Sequence, residues 1–253
     1  MFCKWITILG LILSSCLLFA DDLTLSQIID RHNAAIGGKQ AVRSTQSARI
    51  KLTIKEPKFE VDGVYVADRK LRMRIDIYDG DKRVYTEAYD GKNAWVMGEN
   101  ESSVKDESAQ GTVALRNGII SPDKLFGLDE IMTMGYSLQL QGRQEVEGIN
   151  YYVVRFVPEP KDPIDLYIHP ETWLIERSRQ TKALHPDVDP TPQTVEARYS
   201  DFRKVDGVLR SFKTVSTNLK TGEIVQTDTV HDVQTNVELS DQFFAKPVAP
   251  VSQ

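Results

Sequence analysis

Residues 47–78 hold three runs with apolar side chains at every second position. Ile50, Leu52 and Ile54 alternate with Arg49, Lys51 and Thr53. Leu71, Met73, Ile75 and Ile77 alternate with Arg72, Arg74, Asp76 and Tyr78, and a looser run, 59–66, lies between them, broken by Asp62-Gly63. A period of two with one polar face specifies an antiparallel sheet that is wet on one side and apolar on the other. The connections Glu56-Pro57, Asp68-Arg69 and Asp79-Gly80-Asp81 are short and polar, so neighbouring runs pair consecutively as a meander. The rest of the chain must then extend this sheet or cover its apolar face.

Strand character continues over 83–89 and 93–97 around Asp90-Gly91, and returns after residue 136 in seven further runs. Turns at Glu147-Gly148, His169-Pro170-Glu171, Asp206-Gly207 and Thr221-Gly222 separate most of these. About a dozen strands at near-regular spacing predict a mainly β (α+β) chain, one large curved antiparallel sheet in a single domain over 21–253. Two segments break the pattern. Thr24-Leu25-Ser26-Gln27 has capping-box spacing, and Leu25, Ile28, Ile29, His32 and Ile36 share a helical face that Gly37-Gly38 ends. Residues 113–117 and 122–134 also read as helical, with Ser121 and Pro122 as N-cap and first-turn residues. Leu125, Phe126, Leu128, Ile131 and Met132 make the second piece apolar enough to lie over a sheet as a plug or lid. Residues 98–108 read as a polar loop.

Residues 1–20 read as a secretory signal, with Lys4 before an apolar core. Two cleavage readings stand. Cutting after Ala20 releases a soluble periplasmic protein. Alternatively, Leu13-Ser14-Ser15-Cys16 matches a bacterial lipobox and would leave Cys16 lipidated, anchoring the protein to a membrane with its fold facing the periplasm. Cys3 and Cys16 both lie in this segment, so the soluble form has no disulfide framework.

The formal net charge is −5 and the basic residues are spread along the strands, which argues against nucleic-acid binding. His32, His169, His185 and His231 are not at metal-ligand spacing from one another. Asp79-Gly80-Asp81-Lys82 lacks the later ligands of a calcium loop. No nucleotide-binding, nucleophile-elbow or acid–base signature occurs, so the expectation is a protein without catalysis, cofactor or metal.

Several phrases, in order, resemble the bacterial outer-membrane lipoprotein-sorting proteins of the LolA-like superfamily. They are Ile28-Ile29-Asp30-Arg31-His32-Asn33-Ala34-Ala35-Ile36-Gly37-Gly38, Tyr89-Asp90-Gly91-Lys92-Asn93-Ala94-Trp95, Gly142-Arg143-Gln144-Glu145-Val146-Glu147-Gly148, Tyr167-Ile168-His169-Pro170-Glu171-Thr172 and Tyr199-Ser200-Asp201-Phe202-Arg203, with a closing Phe243-Phe244 and Pro247. The resemblance implies an unclosed half-barrel of about eleven antiparallel strands with a helical lid over its concave, apolar face. It also implies a non-enzymatic periplasmic protein that carries lipoprotein acyl chains or other lipids toward the outer membrane, between inner- and outer-membrane donor and acceptor proteins. Under that reading Ile50, Leu52, Ile54, Leu71, Met73, Ile75 and Ile77 line the floor of a binding groove. Leu125, Phe126, Leu128, Ile131 and Met132 line its lid. Two other readings remain: a lipid-sensing or protein-binding adaptor on the same fold, and a structural envelope lipoprotein anchored through Cys16.

Overall fold

A computed structural model describes residues 23–122, 124–158, 162–184 and 189–247. The signal segment, Cys16 and His185 lie outside the described residues.

The N-terminal helix α1 (Leu25–Ala35) begins as its sequence predicts. The Thr24 hydroxyl accepts from the Gln27 amide at 3.3 Å, and the Gln27 side chain accepts from the Thr24 amide at 2.9 Å. Gly37 (φ 119°) and Gly38 (φ 93°) turn the chain into α2 (Lys39–Ser44). A Cβ on Gly37 would stand 2.1 Å from the Gly207 carbonyl oxygen, beside the Leu209 amide that bonds to Ile36 at 2.8 Å. Gly37→Ala therefore combines a left-handed backbone with a clash against main chain. The expected cost is about 2 kcal/mol, measured as a drop in chemical-denaturation stability, while Gly148→Ala, where a Cβ meets nothing, gives only the strain of its positive φ.

A first meander follows: β1 (Ser47–Glu56), β2 (Phe59–Asp68), β3 (Arg72–Asp79), β4 (Lys82–Tyr89), β5 (Ala94–Met97) and the two-residue β6 (Lys105–Asp106). Helices α3 (Ala109–Ile119) and α4 (Leu128–Thr133) come next. The second meander is β7 (Ser137–Val146), β8 (Ile149–Val157), β9 (Ile164–Ile168), β10 (Ile175–Lys182), β11 (Gln193–Val205), β12 (Val208–Asn218) and β13 (Ile224–Thr235), ending in the short helix α5 (Asp241–Phe244). Among the described residues, thirteen strands form one antiparallel sheet in the order 6-5-4-3-2-1-13-12-11-10-9-8-7, with β6 and β7 at its edges. The sheet is thus the expected unclosed half-barrel, two strands larger than the family resemblance implies. The thirteenth strand, β6, is too short to carry any periodic signal.

This order explains the lid. The first meander runs outward from β1 to the edge at β6, and the second starts at the opposite edge and returns to pair β13 with β1. The chain must cross from one edge to the other between them. It does so over the concave face, and α3 and α4 are that crossing. Register places Ile50, Tyr65, Ile75 and Val233 in one row of this face, with Leu52, Gly63, Ile77 and Val230 in the next.

Local details differ from expectation for identifiable reasons. No helix starts at Pro122: α4 begins only at Leu128, because arginine side chains take the carbonyls of Lys124 and Leu125. Helix α3 starts four residues before the expected 113, since Ser108 caps it by accepting from the Gly111 amide at 2.9 Å. Leu71 (φ 59°) and Trp173 (φ 61°) sit in turns, so β3 and β10 start one and two residues later than the alternation suggests. Glu147-Gly148 and Asp206-Gly207 are two-residue hairpin turns with both φ positive, as their composition predicts.

The main core lies between the concave face and the crossing helices. It joins Ala48, Ala67, Met73 and Tyr89 from the first meander to Val154, Phe156 and Ile168 from the second, through Ile28, Ile119, Leu128 and Ile131.

Candidate functional site

The lid fills only part of the concave face. Beside it remains a groove of about 360 Å3. Elsewhere an apolar cavity of ~150 Å3 is enough to hold benzene. Four of the expected floor residues line this groove: Ile50, Leu52, Ile54 and Ile75. Met73 instead lies under the lid, 5% exposed, and Leu71 packs against the core from its turn. Ile77 is half-buried on the same face as Leu52 but outside the groove lining. Of the lid residues, Leu125, Phe126, Leu128 and Ile131 are buried in the packed core, whereas Met132 is 45% exposed. The apolar lid side chains thus hold the helices down, and Met132 faces away from the core.

The rest of the groove comes from residues that sequence reasoning left out of the site: Val230 and Val233 on β13 beside the β1 floor, and beyond them Tyr199 on β11, Ile175 on β10, and Ile164 and Leu166 on β9. The alternation Ile164, Leu166, Ile168 was available as a signal. Val230 and Val233 gave none, because the register shifts opposite Lys51/Leu52 and brings residues three apart onto one face.

Two arginines on the sheet hold the lid through its backbone. Arg69, in the β2–β3 turn, donates to the Leu125 carbonyl at 2.7 Å and to the Glu130 carboxylate at 2.7 and 3.2 Å. It also donates to the carbonyls of Thr45 (2.7 Å) and Val42 (2.9 Å), and its guanidinium lies over the Phe126 ring at 4.9 Å. Arg210 on β12 donates to the Lys124 carbonyl. Burial would raise the Glu130 pKa, but the Arg69 hydrogen bond, the Gly127 amide and the nearby Arg43 together hold it below the ordinary glutamate value. At the other side, Asn33 and Arg43 donate to Asp129 at 2.9 and 2.7 Å, tying α4 to α1 and α2. His32 is fully buried and donates its Nδ1–H to the Trp173 carbonyl at 2.8 Å. Among the described residues, no three His, Cys, Asp or Glu side chains gather where they could hold a metal ion.

No protein-family model matches the sequence, and no curated protein matches it. Solved structures do match the fold. A LolA superfamily protein from Nitrosomonas europaea superposes with a TM-score of 0.59 at 16% identity, covering 88% of this chain and 98% of its own. A DUF1329 family protein from Desulfovibrio piger gives 0.55 at 15% identity, covering 87% and 96%. A putative outer membrane lipoprotein-sorting protein domain from Vibrio parahaemolyticus gives 0.54 at 11% identity, covering 87% and 95%. The unclosed antiparallel sheet with helices laid across its concave face is, in this chain, the LolA-like fold.

Proposed function

We propose that this protein is a non-enzymatic carrier that binds the acyl chains of lipoproteins or other lipids in the groove and helps move them toward the outer membrane. The observation that carries this reading is the unfilled, aliphatic-floored groove beside a lid fixed by polar contacts at its rim. Transfer of an acyl chain from water into such a groove is worth about 0.8 kcal/mol per methylene, so a chain of ~16 carbons represents on the order of 10 kcal/mol. A packed sandwich has no space for that chain. A lid that parts from an open sheet does. The likeness to a lipoprotein-sorting domain supports the same reading, as does the secretory character of residues 1–20, which would place the protein in the periplasm, soluble or anchored through Cys16. No helix among the described residues is long and apolar enough to cross a membrane.

Native mass spectrometry of the protein purified from periplasmic and membrane fractions, with lipid extraction, tests the proposal. A bound lipid or acylated peptide is the expected result. Leu52→Glu places a carboxylate on the groove floor opposite Gly63 and Val230, and is expected to weaken fatty-acid binding by at least about tenfold with the far-ultraviolet circular dichroism unchanged. A protein that stays lipid-free on incubation with lipoprotein and phospholipid, yet co-purifies with one stoichiometric protein partner, would instead be the adaptor.

A further inference from the structure

The groove is aliphatic on one side only. At the level of Ile54 the concave row continues into Asp228 on β13 and Thr214 on β12, where an all-apolar groove would continue with aliphatic side chains. Gln226 donates to the Asp228 carboxylate at 2.8 Å. Lys124, on the lid segment between α3 and α4, also lines the groove. Its backbone is fixed by Arg210, and its ammonium lies 5.0 Å from the centre of the Tyr65 ring. It makes no ion pair with a described residue. Lys124 is exposed in the groove; the protein around it lowers its pKa by desolvation, against the attraction of the Asp228 carboxylate. Lys182, at the end of β10, is lowered for the same reason, while burial raises Asp228. Tyr65, on the floor below Lys124, buries its hydroxyl without a hydrogen-bond partner.

An ammonium that lines an aliphatic-floored groove with no hydrogen bond or ion pair to a described residue, drawn by the Asp228 carboxylate from beyond ion-pair distance, is placed to take an anionic oxygen, and the Tyr65 ring beneath it carries a hydroxyl with no acceptor. We infer that the cargo is an amphiphile with an anionic head, a carboxylate or a phosphate, whose head lies at Lys124 and whose chain runs over Ile50, Leu52 and Ile54. This rests on the groove being the cargo site. It adds what the aliphatic floor alone does not specify, a preference between heads on the same chain.

Competition against a neutral fluorescent probe, using the full chain stripped of lipid, tests it with oleate, methyl oleate and dodecyl phosphate. The wild type is expected to bind oleate or dodecyl phosphate at least about tenfold tighter than methyl oleate. Lys124→Gln is expected to remove that preference and leave methyl oleate unchanged. Asp228→Asn, which removes the opposing charge, should tighten the anionic probes. Dependence on Lys124 for oleate alone identifies a carboxylate head, and for dodecyl phosphate alone a phosphate. Equal binding of all three probes, unaltered by Lys124→Gln, overturns the head-group inference and leaves acyl binding intact. Failure of all three to bind overturns both.

Discussion

Arg69→Ala is expected to lower stability by about 3–5 kcal/mol and to release the lid. Arg69 is 17% and Glu130 15% exposed, so their ion pair is largely screened from water. Removing the guanidinium leaves the Glu130 carboxylate without its main partner and strips one donor from each of three carbonyls: Thr45, Val42 and Leu125. The loss also removes the cation above Phe126. Urea denaturation at neutral pH measures the first effect. Faster uptake of an environment-sensitive fatty acid measures the second, because the crossing segment loses its anchor while the floor stays intact. A variant as stable as the wild type, with unchanged uptake, would show that Arg210 and the apolar contacts hold the lid unaided.

The same pair sets an acid limit. Glu130 has its pKa depressed in the folded protein, so its contribution is fully present above the ordinary value of 4.5 and is lost as pH falls through the lower folded value. Uptake of the fluorescent fatty acid should therefore speed up on acidification below 4.5 in the wild type. Arg69→Ala removes the largest of the contacts that depress the pKa and leaves the Gly127 amide and Arg43, so this acid step is expected to shrink.

The second large effect is expected on the convex side. Trp95→Ala should destabilise the protein by about 3–5 kcal/mol and free the C-terminal segment. Trp95 is 1% exposed on β5, packs with Ala88 and Met97, and donates its indole N–H to the Phe244 carbonyl at 2.9 Å. Two neighbouring arginines complete the attachment. Arg72 binds Asp241 at 2.5 Å with its guanidinium 4.6 Å from the Phe244 ring centre, and Arg74 lies over Phe243 at 5.2 Å. Limited proteolysis of Trp95→Ala should cut first between residues 236 and 247, before the sheet. Trp95→Phe keeps most of the buried area and loses the hydrogen bond, so a cost of about 1–3 kcal/mol is expected there. Equal sensitivity of all three proteins at that segment would mean the arginines alone secure it.

The alternation in β1 and β3 determined the antiparallel sheet and its apolar face, and the turn residues determined most strand ends. Both are local consequences of which residues can share a strand face or adopt a positive φ. The capped N-terminal helix was legible for the same reason: Thr24 and Gln27 satisfy each other within one turn. The apolar content of 125–132 marked a lid, but it did not show that Leu125, Phe126, Leu128 and Ile131 are consumed in packing while the vacant space lies nearer β9–β13. That depends on pairing β13 with β1 across nearly the whole chain, and on a bulge that hides Val230 and Val233 from any period of two. Arg69, Arg210 and Lys124 carried no sequence signal either. A basic residue in a polar turn or at the end of a lid reads as a solvated charge, and becomes a latch or part of a groove lining only when distant chain brings carbonyls, a carboxylate or apolar side chains around it. Local alternation sets what each strand face buries, whereas the line where burial stops and a groove begins is set by contacts between segments far apart in the chain, from Arg69 with Leu125 to β1 with β13.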